Sequence, residues 1–110
     1  MNPCMMNKGV LVQYTTPTIE ITFPTVDTST IAEAYLVIKY GGTAILSKAL
    51  SAATVAEHKV SWTLSQTDTK SLPLDKTVRI FCDWKLTDGT RGRSNFAEYH
   101  VVETGKEEVI

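Results

Sequence analysis

The chain has 110 residues, and its 43% apolar and 21% charged composition supplies material for one apolar core and not for two. Eleven basic against twelve acidic residues leave a formal charge of −1 at pH 7, which withholds the field that a general nucleic-acid binder needs. Apolar stretches such as Ala34 to Ile38 fall far short of the ~20 residues that cross a bilayer, so no membrane partner is expected.

Sixteen threonines, with many Val and Ile, tilt the chain toward strand, because side chains branched at Cβ lose χ1 freedom in a helix and fit a pleated surface. Met1 to Gln13 lacks a charged segment followed by an apolar one, so no signal peptide is expected and residues 1–8 read as a flexible extension. Val10, Val12 and Tyr14 alternate as one face of a first strand, which Pro17 separates from the next. There Ile19, Ile21 and Phe23 share a face opposite Glu20 and Thr22. From Ala34 to Tyr40 and from Thr43 to Lys48 two apolar runs flank Gly41-Gly42, a pair that supplies the positive φ a tight hairpin requires. A strand over Lys59 to Ser65 places Val60, Trp62 and Leu64 on the core side. Ser65 followed by Asp68 predicts a capping box opening one short helical turn, which Pro73 stops. Thr77 to Leu86 is the longest strand, with Val78, Ile80, Cys82 and Trp84 inward. Thr87-Asp-Gly-Thr90 is a turn, a last strand covers Phe96 to Glu103, and residues 104–110 are a fraying tail. Seven strands and no convincing amphipathic helix predict an all-β domain over 9–103, an immunoglobulin-like antiparallel sandwich, with a small β-barrel as the alternative.

Chemistry-bearing residues are sparse. His58 and His100 stand in metal-ligand spacing neither with each other nor with a cysteine, and Asp27, Asp68, Asp75, Asp83 and Asp88 are scattered singly, so no metal, cofactor or paired-carboxylate site is expected. Cys82 reads as a small buried hydrophobe, and the two cysteines read as reduced thiols. Gly89 and Gly92 do not sit between a strand and a helix as a phosphate loop would. No catalytic constellation emerges, and an enzymatic reading would rest only on the scattered Asp and His. Tyr35, Tyr40, Phe81 and Tyr99, placed opposite the core face, together with Arg79, Arg91 and Arg93, form the candidate interface; the same tyrosines and the polar loops motivate the alternative of a carbohydrate-binding module.

The order Thr16-Pro-Thr-Ile-Glu-Ile-Thr-Phe-Pro24, Thr30-Ile-Ala-Glu-Ala-Tyr-Leu-Val37, Leu64-Ser-Gln-Thr-Asp-Thr69, Thr87-Asp-Gly-Thr-Arg91 and Ser94-Asn-Phe96 resembles small tailed-phage and prophage proteins of Gram-positive hosts, over roughly residues 15–110. The resemblance implies a virion-associated structural or accessory protein, in a tail, a baseplate or a capsid decoration. It implies partners among other virion proteins, with self-association open, location in the virion or in the host cytoplasm before assembly, and no catalytic residues.

Overall fold

The computed structural model describes residues 4–5, 9–94 and 96–104. Most of the proposed extension 1–8 and tail 104–110 lies outside them. The seven predicted strands are present as β2 (Gly9–Val12), β3 (Thr18–Thr22), β4 (Ile31–Tyr40), β5 (Thr43–Ala49), β7 (Lys59–Thr63), β8 (Thr77–Leu86) and β10 (Ala97–Val102). Three shorter ones join them among the described residues, namely β1 (Cys4–Met5), β6 (Thr54–Ala56) and β9 (Arg91–Arg93). Within the proposed N-terminal extension, the backbone of Cys4 and Met5 pairs with Thr22 and Ile21.

The strands form two sheets, one in the order β1-β3-β7-β6 and one in the order β2-β10-β8-β4-β5, with β9 continuing the β10 edge of β8. The fold is therefore the all-β sandwich that the alternation predicts. Its pairing is not wholly antiparallel: β2 runs parallel to β10, with Leu11 opposite Val101. A parallel pair cannot be a hairpin. Here it joins the first strand of the larger sheet to the last, so the connection is nearly the whole domain.

Alternation decides what each face buries. Ile19, Ile21, Val60 and Trp62 from the smaller sheet meet Leu36, Ile38, Val78, Ile80, Cys82 and Val101 from the larger, all buried. At about 25 cal/mol per Å² of apolar surface removed from water, this layer is the main source of stability. Trp62 is only 1% exposed, and its Nε1–H donates across to the carbonyl of exposed Ala49 in β5 at 2.9 Å, tying the two sheets together by a polar contact at the margin of the apolar layer. Trp84 is half-buried and packs edge-on against Phe23 with ring centroids 6.0 Å apart.

The predicted punctuation also folds as read. Gly41 and Gly42 both take positive φ, +59° and +85°, as a two-residue hairpin turn demands. Helix α1 (Gln66–Lys70) opens on Ser65, whose hydroxyl accepts the Asp68 N–H while the Asp68 carboxylate accepts the Ser65 N–H. Lys48 of β5 reaches the same carboxylate at 2.9 Å. Buried Thr69 fixes α1 to the segment before β3, its hydroxyl accepting the Thr15 N–H and donating to the Thr15 carbonyl. No helix of the described residues is long and apolar enough to cross a membrane.

Candidate interaction surface

The side of the larger sheet that faces away from the smaller one carries the candidate site. On β8 the residues between the buried positions are Arg79, Phe81, Asp83 and Lys85, and the strand partners put Lys39 beside Arg79, Val37 beside Phe81, and Tyr35 and Arg93 beside Asp83. Side chains at paired positions share a face, so these form one continuous outer surface.

Two guanidinium groups on this surface lie over phenyl rings. Arg93 sits over Phe81 and Arg79 over Phe96, each with Cζ 4.5 Å from the ring centroid, and the Lys39 ammonium stands 5.7 Å from the Phe81 centroid. Cations at these distances are held by the ring quadrupole. The covering explains why Phe81 is only 5% exposed although it points away from the core. Phe96 keeps its other side open and is 53% exposed. Arg93 Nε also donates to the Asp83 carboxylate at 2.8 Å, which fixes the guanidinium in place over the ring.

Around these rings lies a groove of about 510 Å³ lined by Lys39, Gly41, Gly42, Thr77, Arg79, Phe81, Arg93, Ser94 and Phe96. Three of its lining side chains are cations and none is a carboxylate. Its floor is rigid. Ser94 is buried where β9 gives way to β10, its hydroxyl accepting the Cys82 N–H and its own N–H donating to the Cys82 carbonyl, both at 2.8 Å. The β4–β5 hairpin supplies the wall at Gly41 and Gly42. A second, smaller depression of about 240 Å³ continues along the same face, lined by Glu33, Tyr35, Asp83, Trp84, Lys85 and Arg91. There the Tyr35 hydroxyl donates to Glu33 at 3.1 Å, and this bond to a carboxylate, with its charge, raises the phenol above its ordinary range.

Of the seven interface candidates, Arg79, Phe81 and Arg93 meet in the larger groove, and Tyr35 and Arg91 line its continuation. Tyr40 is exposed at the hairpin end but lines neither groove. Tyr99 is corrected: it sits opposite Val78 on the inner side, packs against the core beside Ala97 and Val101, and burial raises its phenol pKa. Its strand carries apolar residues on both faces, Phe96 and Val102 as well as Ala97 and Val101, so alternation alone gives it no phase.

Lys39, Phe96, Thr77 and Ser94 were not among the candidates. Lys39 had a legible signal, since it shares the parity of Tyr35 on β4, whereas Phe96 and Ser94 enter the groove through a connection whose course only the pairing of β9 and β10 with β8 determines.

The remaining chemistry-bearing residues do not join this surface. Burial pushes the Cys82 thiol up to about 12, so it is a protonated core side chain. His58 closes the turn before β7 at φ +58°, its Nδ1 2.9 Å from the carbonyls of both Phe23 and Val26. Among the described residues no group of three or more His, Cys, Asp and Glu converges in a way that would hold a metal ion. No protein-family model matches the chain, and no curated protein matches it either.

Proposed function

We propose that this chain is a small structural or accessory protein of a tailed-phage or prophage virion, a tail, baseplate or capsid-decorating component, that works through protein–protein contacts. The observation that carries the contact part of this reading is the outer face of the larger sheet. It is preformed, combines arginine with aromatic rings as protein interfaces do, and is anchored to a rigid sandwich. The virion part rests on the ordered motifs from Thr16 to Phe96 and on their resemblance to phage proteins.

A carbohydrate-binding reading draws on Tyr35, 41% exposed beside Glu33 and Arg91. It has less support, because sugars stack on open ring faces, and on this face the Phe81 ring is covered by Arg93 and Lys39 while Phe96 carries Arg79 over its ring.

The test is whether the protein travels with particles. Particles released on induction of a strain that carries the gene, purified by density gradient and analysed by mass spectrometry, should contain the chain in fixed ratio to the capsid and tail proteins. Its presence only in the soluble lysate, with capsid and tail proteins in the particle band, would overturn the reading.

A further inference from the structure

We infer that the outer face of the larger sheet receives an extended acidic segment of a partner protein, its carboxylates lying across the basic pairs of β8 and its neighbours. The inference rests on the interaction reading above and names the partner's chemistry.

The first support is a set of cations that the fold leaves without ion pairs among the described residues. Lys39 of β4 is directly opposite Arg79 of β8, and Lys85 of β8 is directly opposite Arg91 of β9; on their other sides Arg79 faces Glu98 of β10 and Lys85 faces Glu33 of β4, yet neither carboxylate comes within ion-pair distance of the cation it faces. Like charges in facing positions destabilise a sheet. Among the described residues, Lys39, Arg79 and Arg91 have no ion-pair partner, although acidic residues outnumber basic ones in the whole chain.

The second support is geometric. Arg79 and Lys85 are six residues apart on one strand, which separates the two basic pairs by about 20 Å. An extended peptide has the same rise per residue and presents alternate side chains on one side, so carboxylates along one edge of a partner segment can meet both pairs. Between them Arg93 is already joined to Asp83, and the strip there is occupied by Phe81, Val37 and Tyr35. The larger groove at the Arg79 end is thus lined by cations without a carboxylate, the middle is apolar to neutral, and at the Lys85 end two cations stand against the single carboxylate of Glu33. A single-stranded nucleic acid stacks its bases on successive open ring faces, and here the central ring, Phe81, is covered, which interrupts any run between the exposed rings of Phe96 and Tyr35.

Fluorescence anisotropy with the full chain tests the assignment. The probes are a labelled eight-residue peptide of alternating Glu and Val, the same peptide with Lys in place of Glu, and an eight-nucleotide oligothymidylate. The Glu peptide should bind, weaken as salt rises, and lose roughly tenfold or more in affinity to the double variant Lys39→Glu, Arg79→Glu. That variant should instead bind the Lys peptide, which the parent chain should not, and this gain cannot come from an unfolded protein if its far-UV circular dichroism matches the parent. Replacement by Gln at both positions should weaken the Glu peptide without creating affinity for the Lys peptide. Failure of the Glu peptide to bind, equal binding by parent and charge-reversed variant, or tighter binding of the oligonucleotide would each overturn the assignment. Absence of the chain from purified particles would instead sink the virion reading and leave the peptide titration as it stands.

Discussion

Trp62 and Trp84 are the inward tryptophans of facing sheets, one buried and one half-buried, and the fate of one atom separates them further. The Trp62 indole N–H is spent on the Ala49 carbonyl, whereas Nε1 of Trp84 is buried with no hydrogen-bond partner among the described residues. Truncation of Trp62 to Ala should cost about 3–5 kcal/mol, since it opens a cavity in the middle of the sandwich. The conservative exchanges separate packing from hydrogen bonding. Trp62→Phe removes the bond to the Ala49 carbonyl, a loss of about 0.5–1.5 kcal/mol beyond the change in volume, while Trp84→Phe removes a buried unpaired donor and should be the milder of the two in urea unfolding. Equal shifts in the two Phe variants would show that the Ala49 bond contributes nothing. Gly92 belongs with Trp84: a Cβ placed there would lie 2.3 Å from the indole Cζ2, so Gly92→Ala should destabilise by about 1–3 kcal/mol as the ring is forced aside. That tryptophans would be inward could be read from their alternation with Arg79, Asp83 and Ser61. That Gly92 must be glycine could not, because its neighbour comes from another strand.

At the level of elements, local chemistry was legible wherever it was complete within a few residues. The hairpin at Gly41-Gly42 and the capping box at Ser65 and Asp68 each involve side chains and backbone atoms close in sequence, so residue type fixes geometry. The short strands β1, β6 and β9 are two or three residues long, too short to show a period of two, and exist only because a neighbouring strand offers hydrogen-bonding groups. The parallel pairing of β2 with β10 is illegible for the same reason, since alternation tells which face is buried but not which strand lies alongside. The capping box gives a prediction with a defined pH window. Burial pulls the Asp68 carboxyl upward, but the Ser65 amide, the Lys48 ammonium and the Ser65 hydroxyl outweigh it and hold the group below its ordinary 3.8. A depressed folded-state pKa stabilises the fold above the unfolded value, and that contribution disappears as pH falls below about 4 through the depressed value. Thermal midpoints should therefore be flat at neutral pH and drop in acid, with a smaller acid-dependent part of the drop in Asp68→Asn. Ser65→Ala, which leaves the carboxylate in place, should cost about 1 kcal/mol at neutral pH. A variant whose acid profile overlays the parent's would show that Asp68 carries none of this linkage.

Across the whole molecule, the sandwich divides its labour between two surfaces of one sheet. The inner face of β8 contributes Val78, Ile80 and Cys82 to the core, and the outer face contributes Arg79, Phe81 and Lys85 to the solvent side, residue by residue along the same strand. Because the alternating positions share a backbone and not side-chain contacts, changes on one face should act nearly independently of the other. Arg79 and Arg93 are exposed and Lys39 is half-buried, and each makes a cation–ring contact of about 0.5–1 kcal/mol, in the case of Lys39 and Arg79 set against their mutual repulsion. Arg79→Ala should accordingly shift the unfolding free energy by no more than about 1 kcal/mol. Arg93→Ala should cost more than Arg79→Ala, because it uncovers Phe81 and strands Asp83, whereas Phe96 is already half open. Val78→Ala or Ile80→Ala, one residue away on the same strand, should cost about 2–4 kcal/mol through the cavities they leave. Urea midpoints measured on this set of four decide the matter. If the arginine variants fell as far as the core variants, the outer face would be part of the scaffold. If the expected order holds, the charged face is available to be spent on recognition, since the protein can change there without unfolding.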